Sequence, residues 1–336
     1  MSINNLNKVV VLGTGGTIAG TAASSTDNIG YAAAQVAVTD LLQATPGLSV
    51  VLAGRGLVAE QVAQIDSKDM SFAMWQQLAV RVSFHLAQAD VTGVVITHGT
   101  DTLEETAYFL HAVLPAVQRA TKPVVLTCAM RPASSAAPDG PQNLMDAVSV
   151  VVTPGARGVV AVCAGSIHGA VDVQKVHPYR LDAFDSGDAG VIGYVEEGSA
   201  RLVKNWPLAL ANDGDFVIEK IASIVQWPRV EIVMSYAGAS GAMVDALVRP
   251  GPDVPPVRGL VVAGTGNGTV HHDLEAALLR AQAAGVTVVR ATRCPNGRVL
   301  PTSGSAIADS KGLSPVKARV ALMLALIEPA PRMPVP

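Results

Sequence analysis

Two segments of this chain place a hydroxyl where an α/β fold puts its chemistry. The first is "VVVLGTGGTIAG", Val9–Gly20, an apolar run that stops in a loop holding four glycines. Glycine tolerates φ > 0 and lets a ligand approach the backbone closely. The loop leaves the carboxyl end of a predicted strand, where open α/β sheets bind their ligands. Thr17 is therefore a candidate nucleophile if a base lies nearby. The competing reading is a tight turn in which Thr17 only satisfies backbone groups. The second segment is "GVVITHGTDTLEE", Gly93–Glu105. Another apolar run feeds Thr100 and Asp101 into the start of a predicted helix. Free N–H groups and the helix dipole there favour a developing negative charge. For Asp101 the alternative role is assisting the helix cap.

A phosphate cradle is the other use of a Gly-rich loop, and the residues argue against it. A dinucleotide fingerprint ends in Gly or Ala, where this chain has Ile18, whose branched side chain obstructs close helix–strand packing. No basic residue lies between Gly13 and Tyr31, so the P-loop lysine is missing as well. A nucleotide-binding module is thus the distant alternative. His98 reads as a structural residue and His271-His272 as a surface pair at a helix start, since neither has metal spacing.

The elements that must hold these segments alternate as in parallel α/β folds. Predicted buried strands are Lys8–Leu12, Gly93–Thr97, Pro123–Thr127, Gly158–Cys163, Val230–Ser235, Gly259–Ala263 and Val286–Arg290. Most are apolar throughout, as strands covered on both faces should be. After Thr102 the spacing of Leu103, Ala107, Leu110, Leu114 and Val117 predicts a helix that ends at Lys122-Pro123. Thr102 and Glu105 fit a capping box for it. Ser314-Pro315 reads as the N-cap and N1 of a last helix. The irregular stretch between Val203 and Arg229, with two Trp-Pro pairs, is the expected domain boundary.

Composition bounds the rest. The 336 residues suggest two domains, and 49% hydrophobic against 15% charged residues exclude a disordered chain. A formal charge of -3 speaks against nucleic acid or an anionic membrane as partner. The three cysteines are odd in number and distant in sequence, which gives no disulfide framework and no zinc spacing. Cys128 and Cys163 lie in apolar runs and read as small buried hydrophobes. No run reaches the roughly 18 apolar residues of a membrane span. The start of the chain has no secretory pattern, so the expected location is the cytoplasm.

"GTGGTIAG" together with "ITHGTDTLEETAYFL" resembles the two signatures of the bacterial-type L-asparaginase family. The likeness continues through "IDSKDM" (65–70), "AMRPASSAAPDGPQNLMDAV" (129–148), "VDVQK" ending at Lys175, and "GTGNG" (264–268). It implies two α/β domains: a larger N-terminal flavodoxin-like parallel-sheet domain over 1–208, a linker over 209–228, and a smaller C-terminal Rossmann-like domain over 229–336. It implies hydrolysis of L-asparagine to L-aspartate and ammonia through an acyl-enzyme, with a broader glutaminase-asparaginase as the alternative. No cofactor or metal is implied.

The residue roles follow from the same likeness. Thr17 attacks the side-chain amide and Tyr31 assists it. Thr100 forms a relay with Lys175 and Asp101. Ser67 and Asp101 hold the substrate's α-carboxylate and α-ammonium, with Asp66 beside them, and the backbone around Ala129 receives the amide. Asn267 reaches toward a neighbouring subunit's site, in a tetramer built as a dimer of dimers. The small, polar segment Gly20–Gly30 is the expected hinged lid that brings Tyr31 over the substrate. Two departures stand out. Lys68 occupies a position where many members carry Gln or Glu, so it is expected to point away or to leave recognition to its backbone and Asp101. The stretch 291–320 contains no Glu, where several members supply an acid.

Overall fold

Valine-rich runs with no polar alternation become strands covered on both faces. The computed structural model describes residues 7–207, 218–249, 251, 254–302 and 304–327. They fall into two compact units, dividing between Ser223 and Ile224.

The first unit is built on an eight-stranded sheet. Its parallel part is β1 (Lys8–Gly15), β2 (Gly56–Ile65), β3 (Val91–Thr97), β4 (Pro123–Thr127) and β5 (Gly158–Cys163). β6 (Ser166–Gly169) joins β5 antiparallel. β7 (Gln174–Lys175) and β8 (Phe184–Asp185) pair apart from the sheet as a short ribbon. β9 (Gly193–Glu196) and β10 (Ser199–Leu202) then complete one edge, also antiparallel. The spatial order is β10-β9-β6-β5-β4-β3-β1-β2. The order reverses between β1 and β3, and open α/β sheets bind ligands at the carboxyl ends of the two strands flanking such a switch. Val9 to Leu12 of β1 and Val94 to Ile96 of β3 are fully buried, so both loops spring from a rigid base.

The second unit carries a four-stranded parallel sheet in the order β11 (Arg229–Met234), β12 (Val257–Gly264), β13 (Thr287–Thr292), β14 (Ala308–Asp309). Leu260, Val262 and Leu278 are in its core. The chain therefore forms the expected pair of α/β units. Among the described residues no helix is long and apolar enough to cross a membrane.

Several local expectations need correction. β2 escapes a search for apolar runs because it is the sheet's edge and only Val62 of its ten residues is buried. The helix after Thr102 stops at Val113. Leu114 is extended before Pro115, as a pre-proline residue tends to be, and a second short helix runs Ala116–Thr121. The capping box does not form: the Thr102 hydroxyl donates instead to the Ser67 carbonyl at 2.8 Å. The last helix does begin at Pro315, but Ser314 makes no side-chain cap bond. The helix Ile218–Ala222, inside the expected linker, docks on Phe72–Leu86, where Gln76 donates to the Ile221 and Ala222 carbonyls.

Candidate active site

The two glycine-bearing loops touch. A Cβ on Gly16 would lie 2.3 Å from the Gly99 Cα, and one on Gly99 would lie 2.5 Å from the Ser67 Oγ. Only glycine lets the loops after β1 and β3 and the turn after β2 stack so closely. Thr17 and Thr100, each the next residue along, flank this contact and are both buried.

Thr17 opens a single 3-10 turn, Thr17–Ala19. Its Oγ1 lies 2.6 Å from the Tyr31 hydroxyl. Tyr31 arrives on the segment expected to be a lid, which is pinned across its neck by paired backbone bonds between Thr21 and Ala32. The outer part of the segment rests on the 134–136 loop: Ala22 N–H donates to Ser134 Oγ, and Ala136 N–H to the Ser25 carbonyl. Ile18, the residue that spoils a dinucleotide fingerprint, packs with Ala19 and Ala129 instead. It couples the Thr17 turn to the backbone assigned to the amide.

Thr100 stands in a charged relay. Lys175 Nζ donates to Thr100 Oγ1 at 2.7 Å and to Asp101 Oδ1 at 2.7 Å. The Thr100 hydroxyl donates weakly to the same Asp101 oxygen at 3.4 Å. Lys175 is largely enclosed, whereas half of the Asp101 side chain is exposed, so one carboxylate oxygen remains open to a ligand. Glu104 accepts from the Lys175 backbone N–H at 3.4 Å, tying β7 to the first turn of the helix that follows Thr100.

Ser67 is the junction of the site. Its Oγ accepts from the Asp101 N–H at 3.2 Å, and its carbonyl from Thr102. Asp66 caps the Ser67–Asp69 turn, and Lys68 folds back on it with Nζ–Oδ2 at 2.7 Å. That carboxylate holds the Lys68 ammonium above its ordinary pKa. Lys68 is thus paired with Asp66. Asn267 lies in the second unit, where its amide clamps Leu300 by donating to the carbonyl and accepting from the N–H. The His271-His272 pair does open the helix His272–Ala283, with His271 Nδ1 accepting from Asp273 N–H.

Two residues with no anticipated role shape the Ala129 backbone. The Asp139 carboxylate accepts from Met130 N–H and Arg131 N–H, both at 2.9 Å, rather than capping its own helix. Asn143 Nδ2 donates to the Cys128 carbonyl and its Oδ1 accepts from Ala164 N–H. Pro141 at the helix start marks a helix N-terminus in sequence; nothing local marks the loop these side chains would grip.

His98 is structural, as expected. Its Nδ1–H donates to the Gly99 carbonyl at 2.7 Å and fixes the turn before Thr100. Burial pushes the imidazole down to about 4, against the pull of that carbonyl. It is therefore neutral at pH 7. In the unfolded chain it takes up a proton near 6.5, so between those values the unfolded state binds more protons and stability falls with falling pH. The full loss, about 3 kcal/mol at one pKa unit per 1.36 kcal/mol, is reached below pH 4. In His98→Gln the slope of unfolding free energy between pH 6.5 and 4 is expected to be shallower than in the parent, read from urea titrations at a series of pH values.

Residues 8–208 match the family described as "Asparaginase, N-terminal", and residues 229–332 the "Glutaminase/Asparaginase C-terminal domain". The chain is 36% identical to L-asparaginase 2 of Bacillus subtilis, over 96% of this chain and 83% of that protein. It is also 36% identical to a glutaminase-asparaginase of Pseudomonas fluorescens biotype A, over 96% and 86%. A crystal structure described as "Probable Cytoplasmic L-asparaginase from Campylobacter jejuni" superposes with a TM-score of 0.87 at 37% identity, covering 96% of each chain.

Proposed function

The chain belongs to the asparaginase family and is an amidohydrolase that converts L-asparagine to L-aspartate and ammonia, and from that premise we propose a double displacement run by its two threonines. Thr17 Oγ attacks the side-chain amide carbon while its proton passes to the Tyr31 oxygen and the phenol's own proton is relayed toward the amide nitrogen. The tetrahedral intermediate collapses, the amide nitrogen takes a proton and leaves as ammonia, and an aspartyl ester remains on Thr17. Water held by Thr100, Lys175 and Asp101 then attacks the ester and releases aspartate.

The observation that carries this reading is that each threonine directly follows a glycine of the Gly16–Gly99 contact and already has a hydrogen-bonded partner suited to proton transfer. Lys175 in its protonated form stabilises negative charge on Thr100. Asp101 serves two ends at once, with Oδ1 on Lys175 and its other oxygen free for the α-ammonium. Ser67 Oγ faces the α-carboxylate, Asp66 keeps Lys68 clear of the ammonium, and the Ala129 backbone takes the amide.

The reading extends to assembly. The likeness to the family carries a dimer of dimers with Asn267 near a neighbour's site, and Met234, Tyr236, Met243 and Leu300 are exposed on the second unit. The Campylobacter jejuni neighbour supports a cytoplasmic setting. Steady-state ammonia release tests the selectivity. L-Asparagine is expected to exceed L-glutamine in kcat/KM by about tenfold or more, the range for one methylene in a pocket. Equal values would make this a broader glutaminase-asparaginase.

A further inference from the structure

Cys128 and Cys163 are both buried, and they face each other. Cys128 follows β4, Cys163 ends β5, and their sulfurs lie 3.3 Å apart. The residues before them, Thr127 and Val162, are register partners in adjacent parallel strands. Adjacent strands lie about 4.8 Å apart, inside the roughly 4.4–6.8 Å between Cα atoms that a disulfide spans. The sulfurs need to close by only about 1.2 Å to reach a bond of about 2.05 Å.

The pair lies beneath the site. Ala129 follows Cys128 directly, and Asn143 ties the Cys128 carbonyl to the Ala164 N–H. Lys175 is near enough for its charge to bear on the Cys128 thiol.

We propose that Cys128 and Cys163 form a modification site, a dithiol that a small uncharged hydroperoxide oxidises to an intramolecular disulfide with loss of asparagine turnover. One sulfur attacks the terminal peroxide oxygen, the O–O bond breaks, and the departing oxygen takes the thiol proton and leaves as water, or as an alcohol when the oxidant is an alkyl hydroperoxide. The resulting sulfenic acid is attacked by the second sulfur. The S–S bond forms, the S–O bond breaks, and hydroxide takes the second thiol proton as water. Two electrons pass to the peroxide for each disulfide made. The hydrogen bond shared by the two sulfurs, together with burial, pushes the Cys128 thiol well up.

Burial also selects the oxidant. The two residues are 1% and 3% exposed, which bars a bulky charged disulfide such as oxidised glutathione but not hydrogen peroxide. Drawing the sulfurs together shifts the Ala129 backbone, and misplacement by about 1 Å costs up to about 10²-fold in rate. This effect on turnover rests on Ala129 as the amide receptor. The sulfur chemistry does not.

The test uses the full chain as Cys294→Ser, which removes the exposed thiol. It is treated with hydrogen peroxide, its thiols are counted after denaturation, its peptides are mapped without reduction, and its kinetics are measured before and after. The expected result is loss of both thiols together, a peptide linked through Cys128 and Cys163, and kcat/KM on L-asparagine lower by about tenfold or more, all reversed by dithiothreitol. Oxidised glutathione should leave both thiols intact. Cys163→Ala added to this background should keep its activity and resist peroxide. The proposal is overturned if both thiols survive peroxide that oxidises the methionines, or if Cys163→Ala is inactivated as fast as its parent. A linked peptide with unchanged kinetics would overturn the link to turnover. Absence of asparaginase activity before any oxidant is added would instead count against the proposed function.

Discussion

Thr17→Ala is expected to lower kcat for ammonia release by about 10⁴-fold or more, as removal of a nucleophile does in other hydrolases. The loss should be chemical rather than structural. The Thr17 turn is held by backbone bonds, from Ala19 N–H to Gly16 and from Gly20 N–H to Thr17, and neither uses the hydroxyl. The Ile18 contact with Ala129 is also untouched. Circular dichroism and unfolding midpoint should therefore match the parent. Thr17→Ser restores an oxygen beside Tyr31 and should recover measurable turnover. Tyr31→Phe keeps the ring that packs by Gly20 but removes the proton partner, at a cost of about 10²–10⁴. Near-full activity in Thr17→Ala would move the nucleophile elsewhere.

The second large effect belongs to the relay. Thr100→Val and Lys175→Met are each expected to cost about 10²–10⁴ in kcat, the range for a lost proton-transfer partner. The double variant should cost little more than the worse single one. Lys175 donates to both Thr100 and Asp101, so deleting it leaves Thr100 only the 3.4 Å contact to Asp101. Deleting the Thr100 hydroxyl leaves the Lys175–Asp101 pair with nothing to activate. Residues that act as one unit show this non-additivity. Penalties that multiply in full would show that the two side chains act separately.

Much of this arrangement was legible in residue order, for a physical reason. A buried parallel strand is apolar throughout, and the polar loop at its carboxyl end must then carry the chemistry, so Thr17 and Thr100 stood out as a pair. Lys175 did not, because it sits on a two-residue strand 75 positions from the hydroxyl it touches. Only the likeness to a family pointed to it and to Ser67. Asp139 and Asn143 were hidden in the same way: a helix N-terminus is a local signal, but bonds to Met130, Arg131 and Cys128 are tertiary. Pro115 was readable as a helix stop, yet the periodicity of Leu114 and Val117 runs through it. Val117 is 72% exposed, so the buried face that the periodicity marks ends at Leu114. The Cys128–Cys163 contact joins residues 35 apart and depends on strand register, which composition does not carry.

The central claim is that the substrate's acyl group rests on Thr17 and that Thr100 serves the water step. Acid quench of Thr100→Val during turnover of L-asparagine, followed by peptide mass spectrometry, tests it directly. The account predicts an aspartyl ester on the peptide containing Thr17, present after mixing and absent in the Thr17→Ala, Thr100→Val double variant. An aspartyl adduct on any other residue, or turnover by Thr100→Val with no covalent adduct at any time, would contradict it.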